Sequence, residues 1–530
     1  MMKHLARVFA IVTALMSLAV FAAQGPARPG PVASPDPSCA SLTTLTLPHA
    51  TIDSAVVVDA GRFESPAPPT NAGRGAGPNE DARRLYASLP SFCRVAITAR
   101  PTSDSEIKIE VWLPERDAWN GKLQSVGNGG WAGVISYAAL AAAVRDGYAT
   151  ASTDTGHVGS TGAFALGHPE KYIDFGYRAV HEMTVAAKAV INTRFSSPAA
   201  VAIWHGCSQG GRQGVTEAMR YPGDYDAIIA GAPSVNQTLL HAVRLYLNRI
   251  VHRSADSYIP PERYEAIHKA VMQACDLNDG VKDGVIENPL RCRFDPKVLE
   301  CKGNGADCLT PPQVETVRAL FSPIVHPKTG TVLSPPLLQP GTELVWNVLA
   351  GPQPYATAVE LYKYVVFNNP NWDPKTFEAA TDIDRALAAD ENVANLADPN
   401  LQPFFSRGGK LLLYHGWADQ QVPPQNTIRY FNNVVKTVGS EVVAKSIQLY
   451  LVPGMGHCRG GAGTDTFEKV AAMEEWMATG RAPESIIGSR LLSGNVVRTR
   501  PICAFGRVAR WNGAGSTDDG THFSCVVDRE

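Results

Sequence analysis

From about Ile107 onward the chain alternates short apolar runs with runs of helical spacing. Lys108–Leu113 (KIEVWL), Leu123–Val126, Tyr148–Ser152 and Val201–Trp204 are short, β-rich and bounded by Gly, Pro or Asp, which predicts strands. Apolar residues recur at helical spacing over Arg178–Ile191, and Arg212–Met219 predicts a second helix. Asp226–Ala230 (DAIIA) reads as a buried strand before the turn Gly231-Ala232-Pro233. Such alternation is expected of a mainly parallel sheet with helices on both faces. The pattern breaks near Val235. From there to about Pro403 come Pro-rich turns, four cysteines, an Asp/Gly-rich loop and two amphipathic helical stretches. Strands resume at Lys410–Tyr414 (KLLLY) and Ser446–Val452 (SIQLYLV), with helices predicted over Gln425–Val435 and Thr466–Met477. The simplest organisation is one α/β domain, residues 39–235 and 404–530, interrupted by an insertion at 236–403 and ending in a β-rich tail.

Composition narrows the class. The chain has 530 residues, 45% hydrophobic and 18% charged, against roughly 25% charged in an average soluble protein. Ordinary apolar content with a net charge of -2 excludes a disordered chain. With 48 Lys+Arg against 50 Asp+Glu and no basic run, a nucleic-acid partner is not expected. Ten cysteines are unexpected in a chain long enough to bury a core without staples. The N-terminus accounts for part of this. Lys3, His4 and Arg7 precede an uncharged run from Val8 to Ala23, the layout of a secretory signal peptide over residues 1–23. That run is shorter than the ~20 residues a membrane span needs, so no span is expected after cleavage. Residues 24–38 (QGPARPGPVASPDPS) read as a flexible leader. A secreted or periplasmic location follows, where cysteines pair as structural disulfides. No feature of the sequence specifies an oligomeric state.

The chemistry concentrates where strand Val201–Trp204 enters Gly206-Cys207-Ser208-Gln209-Gly210 and then a helix. G-x-S-x-G between strand and helix describes a turn that lifts a serine hydroxyl to the edge of a sheet. The backbone N–H of Gln209 is then aimed at a developing oxyanion. A serine hydroxyl needs a base, and the base an orienting acid. On hydrolase sheets these follow in the order Ser, Asp/Glu, His, each in a loop after a strand. Asp419 follows KLLLY and His457 follows SIQLYLV. His157, His205 and His415 also lie at apparent strand ends and read as structural histidines; Asp154 and Asp224 stand in the wrong order to be the acid. Cys207 directly precedes Ser208 and Cys458 directly follows His457. A bridge needs Cα atoms roughly 4.4–6.8 Å apart, and a Ser–His hydrogen bond brings their neighbours comparably close. The alternative, Cys207 as a small buried filler, would leave Cys458 unpaired.

Cys207-Ser208, Asp419 and His457-Cys458 together resemble the CS-D-HC motif of the tannase and feruloyl esterase family, which also includes the MHET hydrolase of plastic-degrading bacteria. The resemblance covers about residues 39–528. It implies an α/β-hydrolase fold with a large lid inserted between nucleophile and acid. It implies a carboxylic ester hydrolase working through Ser208, His457 and Asp419. Gly127-Asn128-Gly129-Gly130-Trp131 is similar to the family's Gly-rich loop, which makes Gly130, with Gly129 next, the second oxyanion donor beside Gln209.

The resemblance extends into the insertion. Cys275–Val285 (CDLNDGVKDGV) packs three aspartates and two glycines after its cysteine, a composition suited to calcium but without EF-hand spacing. It resembles the family's lid calcium loop, whose ligands would be the carboxylates of Asp276, Asp279 and Asp283 and the carbonyls of Val281 and Val285. The cofactor implied is a structural calcium in the lid. The family pattern also implies the pairs Cys39–Cys93, Cys275–Cys292, Cys301–Cys308 and Cys503–Cys525, beside Cys207–Cys458. The substrate implied is a small aromatic ester, of ferulate first, with gallate or MHET as alternatives. Lid residues Trp346, Tyr362, Phe367 and Trp372 are candidates for its pocket. Lys363 lies where the MHET hydrolase has a carboxylate-binding arginine, and it lacks that bidentate fork. A reading from another class is a calcium-dependent binding protein on a hydrolase scaffold.

Overall fold

The structure, a computed structural model, describes residues 38–66, 79–131, 133–302, 308–395 and 398–528. The predicted signal peptide and all of the leader but Ser38 lie outside them. The centre is a nine-stranded sheet. Its strands are β1 (Ala50–Val58), β2 (Phe92–Ala99), β3 (Ile107–Pro114), β4 (Lys122–Val126), β5 (Ala149–Thr153), β6 (Val201–Cys207), β7 (Ala227–Gly231), β8 (Lys410–Gly416) and β9 (Ile447–Val452). They lie in the order β1-β2-β3-β5-β4-β6-β7-β8-β9. The first four in space pair antiparallel, and from β5 onward every pair is parallel. The predicted mainly parallel sheet is present, extended at one edge by β1 and β2, which the alternation after Ile107 does not reach.

Strand periodicity divides the core between two faces. Ile228, Ala230, Leu411 and Leu413 join one apolar cluster, and Ala227, Ile229, Leu412 and Tyr414 join another. The first cluster is closed by helix α1 (Ala179–Phe195) through Met183, Val190 and Ile191, by α2 (Gln209–Arg220) through Val215, and by α4 (Pro424–Val438) through Val434. The second is closed by α5 (Lys469–Thr479), which contributes Met473 and Trp476. Leu412 is fully buried, so truncation to Ala would cost ~2–5 kcal/mol.

Between β7 and β8 the chain leaves the sheet and builds its own apolar clusters around α3 (Gln237–Val251). This insertion is not a separate body, since its described residues form one compact unit with those of the sheet. The tail after α5 makes two hairpins, Ser485–Leu492 with Asn495–Cys503 and Arg507–Trp511 with Phe523–Val527. All ten cysteines are paired, as 39–93, 207–458, 275–292, 301–308 and 503–525.

Candidate active site

The turn from β6 to α2 sets the geometry. Ser208 has φ 62° and ψ -120°, a conformation that non-glycine residues adopt only where their surroundings over-determine it. Its N–H is held by the carbonyl of Gly231 at 2.9 Å. Gly206 and Gly211 permit the close approach. A Cβ on Gly206 would lie 2.5 Å from the carbonyl of Gly210, and one on Gly211 would lie 2.2 Å from the carbonyl oxygen of Gly231.

Two loops bring the partners in. Nε2 of His457 lies 2.8 Å from Oγ of Ser208, and Nδ1 lies 2.8 Å from Oδ2 of Asp419. The acid loop is stitched to the base loop by the N–H groups of Trp417 and Ala418, which donate to the carbonyls of Val452 and Met455 at 2.9 Å each. Oδ1 of Asp419 accepts from the backbone N–H groups of Gln421 and Val422 at 2.7 and 2.9 Å. Asp419 is fully buried, which by itself would raise its pKa. The charge that His457 carries once protonated and the hydrogen bonds from His415 and His457 outweigh that burial and hold it well below the usual carboxylate range. The acid is therefore an anion, able to fix the imidazole tautomer with a proton on Nδ1 and a free base at Nε2. Cys207 and Cys458 are bonded with Cα atoms 6.0 Å apart, and Cys458 sits in the left-handed region at φ 65°. The bridge joins the nucleophile turn to the base loop beside the catalytic contact.

Gly130 and Gln209, the two expected oxyanion donors, line the same cleft of about 330 Å³ as Ser208 and His457. Asn128 fixes the Gly-rich loop. Its carbonyl accepts from Gly210 at 2.8 Å, its Nδ2 donates to the carbonyls of Val134 and Thr153, and its Oδ1 accepts from Gln213. The loop is thereby locked to the first turns of α2, the helix that begins at Gln209. His157 adds a second anchor, with Nε2 at 2.5 Å from the carbonyl oxygen of Trp131.

The lid aromatics do not line this cleft, which corrects the expectation from sequence. Trp346 is fully buried in the insertion's core, its indole N–H donating to Thr342 at 3.0 Å. Phe367 and Trp372 stack on one another at 5.2 Å beside Tyr362, in a second core cluster. Lys363 lies on the short helical segment Tyr362–Val366 and is likewise absent from the cleft wall. Large rings in an insertion of this size are needed to build its own core. The rings and cation that do line the cleft are Trp131, His241, Tyr355 and Arg244. From sequence, Trp131 is legible only as the end of the Gly-rich loop and the other three not at all, since a single aromatic or basic residue carries no signal of what it faces.

The loop Asp276–Val285 supplies oxygen donors of the kind calcium prefers. In this conformation its carboxylates cap the loop itself. Asp276 accepts from the N–H of Gly284, Asp279 from Val281, and Asp283 from Val285. Asp283 also pairs with Arg500 at 2.5 Å and Arg498 at 3.4 Å, both from the tail. Among the described residues no three acidic, His or Cys side chains converge as a metal site. The donors suit the ion in kind, while their arrangement is that of an arginine-clamped loop.

A family model described as tannase and feruloyl esterase matches residues 93–526. The chain belongs to the tannase and feruloyl esterase family. Members of the tannase and feruloyl esterase family are carboxylic ester hydrolases, and so is this chain. An uncharacterized esterase of Xanthomonas campestris is 36% identical over 93% of this chain and 92% of its own length. A probable feruloyl esterase B-2 of Aspergillus terreus is 33% identical over 91% of this chain and 94% of its own length. Among solved structures, feruloyl esterase B from Aspergillus oryzae superposes with a TM-score of 0.82 at 30% identity, covering 92% of this chain and 99% of that one. The tannin acyl hydrolase from Aspergillus niger, at 23% identity and a TM-score of 0.74, shares the fold.

Proposed function

We propose that the chain hydrolyses esters of hydroxycinnamic acids such as ferulate, through an acyl-enzyme on Ser208. The observation that carries this reading is the unbroken hydrogen-bonded line Ser208–His457–Asp419 opening onto a cleft walled by aromatic rings. His457 takes the Ser208 proton as Oγ attacks the ester carbonyl. The N–H groups of Gln209 and Gly130 receive the oxyanion. His457 then returns the proton to the departing alcohol, and water attacks the acyl-enzyme by the same route in reverse. Relatives named as feruloyl esterases, matched over most of both chains, support ferulate over other acids. Lys363, set away from the cleft wall, offers no support for MHET as the substrate.

The insertion loop is proposed to take a structural calcium, on the strength of its oxygen-only donors. Export is proposed from five formed disulfides, which persist in oxidising compartments. No helix among the described residues is long and apolar enough to cross a membrane. Hydrolysis of methyl ferulate, methyl gallate and MHET measured side by side tests the substrate reading. The highest kcat/KM is expected for ferulate; activity on gallate alone would make the chain a tannase.

A further inference from the structure

His241 lies on α3, inside the insertion, and lines the cleft at Ser208. Its Nδ1 is 3.1 Å from Nη1 of Arg244. A guanidinium has only donors, so Nδ1 must accept and a neutral ring carries its proton on Nε2. Burial, reinforced by the charge of Arg244, holds His241 well below the usual histidine range, so the ring is neutral. Arg244 is itself fixed in place. It donates to the carbonyl of Gln421 and lies 4.5 Å above the ring of Tyr355, whose hydroxyl donates to the Gln421 side chain at 2.9 Å. Gln421 is two residues beyond Asp419 and donates its own N–H to that carboxylate. The tautomer of His241 is thus set by the loop that carries the catalytic acid.

The imidazole is also one of a row of nearly parallel rings. Trp131 lies 6.1 Å from it at 15°, and Tyr355 lies 6.5 Å away at 22°. Spacings near 6 Å leave no room for a ring between them, so the three form a stepped shelf. The shelf begins at Trp131, next to the Gly130 oxyanion candidate. Among the described residues the one hydrogen bond of the His241 ring is through Nδ1, and the Nε2 donor of a cleft-lining ring is expected to find a partner.

We propose that His241 is a specificity-determining residue, its Nε2–H donating to an oxygen substituent on an aromatic acyl ring that lies along the Trp131–His241–Tyr355 shelf. This rests on the hydroxycinnamate reading above and says how the site would tell an oxygenated ring from a bare one. A polar donor in a desolvated site penalises a ligand that leaves it unpaired.

The test compares methyl 4-hydroxycinnamate with methyl cinnamate on the wild-type chain, His241→Phe and His241→Gln. His241→Phe keeps a ring but neither nitrogen; His241→Gln keeps an acceptor for Arg244 and a donor for the substrate. For His241→Phe, kcat/KM on the hydroxylated ester should fall roughly 5- to 30-fold, mainly through KM, with methyl cinnamate changed by no more than about twofold. His241→Gln should recover most of the preference. An equal loss on both esters by the two variants, or a preference unchanged in His241→Phe, would overturn the assignment. A wild-type chain that cleaves p-nitrophenyl acetate but neither cinnamate would instead fail the substrate reading and take this one with it.

Discussion

His415 meets Asp419 through Nε2 and Oδ2 at 3.1 Å, on the same carboxylate oxygen that receives His457. Its Nε2 also faces the carbonyl of Val422 at 3.0 Å, and its Nδ1 lies 2.8 Å from the hydroxyl of Thr427. Two acceptors on Nε2 require that nitrogen to hold the proton. Two residues of the acid loop and Thr427 of α4 are thereby held around one imidazole that does not line the cleft.

His415 therefore acts as a positioning residue. His415→Asn should lower kcat about tenfold and leave KM nearly unchanged, because the acid loses a donor while the cleft keeps its shape. Steady-state kinetics on methyl ferulate read the split. A rise in KM with normal kcat would mean that the loop had moved into the cleft instead.

Ser208→Ala should abolish turnover by roughly 10⁴-fold or more without unfolding the chain, since the methyl fits wherever the hydroxymethyl does. The wild-type chain should form a covalent adduct with a fluorophosphonate probe at Ser208, seen by mass spectrometry. A folded wild-type chain that takes no label at that position would contradict the nucleophile assignment.

The bridge Cys207–Cys458 closes a loop of sequence separation 251. Cross-links over long loops stabilise by about 2–5 kcal/mol, chiefly by restricting the unfolded chain. A Cys207→Ala, Cys458→Ala pair should melt several degrees lower and lose activity in larger proportion, because the link spans the Ser–His contact. Full activity at a lowered melting temperature would reduce the bridge to a purely structural role.

Burial pushes the carboxyl of Asp154 up to about 7 from 3.8, against hydrogen bonds from the N–H groups of Gly156 and Lys108 that work in the other direction. The folded chain thus favours the protonated acid. That contribution is fully present below about pH 4 and lost as pH rises through about 7. Asp154→Asn, which keeps an acceptor oxygen for both N–H groups, should match the wild type at pH 4 and melt several degrees higher at pH 8. Equal melting curves at both pH values would show that Asp154 is charged in the fold.

Calcium bound at the Asp276–Val285 loop should show as a melting temperature that falls on chelation and returns with added calcium. Asp279→Asn should remove that response while leaving the Arg498 and Arg500 contacts to Asp283 in place. A chelator without effect on the wild-type chain would leave the arginines as the loop's sole brace.

What the sequence disclosed was local or paired. The strand-to-helix turn at Ser208 is written in consecutive residues, and Asp419 and His457 stand directly after apolar runs that can only be buried strands. Cysteines beside Ser208 and His457 report a distance across 251 positions, because a disulfide is legible at both ends. The cleft wall is different. Trp131, His241 and Tyr355 come from a loop, α3 and a turn of the insertion, and their meeting depends on how that insertion settles on the sheet. No periodicity encodes this, so the more conspicuous aromatics Trp346, Phe367 and Trp372 looked equally eligible and proved to be core. β1 and β2 escaped notice for a related reason: they precede the regular strand–helix alternation and extend the antiparallel edge of the sheet.

Arg498 and Arg500 reach back to Asp283 across 215 and 217 residues. A growing polypeptide finishes its insertion long before it possesses those arginines. Asp283 must wait for its arginine partners until the first hairpin of the tail leaves the ribosome. A nonsense mutation between residues 480 and 497 would spare every catalytic group yet release an enzyme whose aspartate loop had never been clamped by the tail.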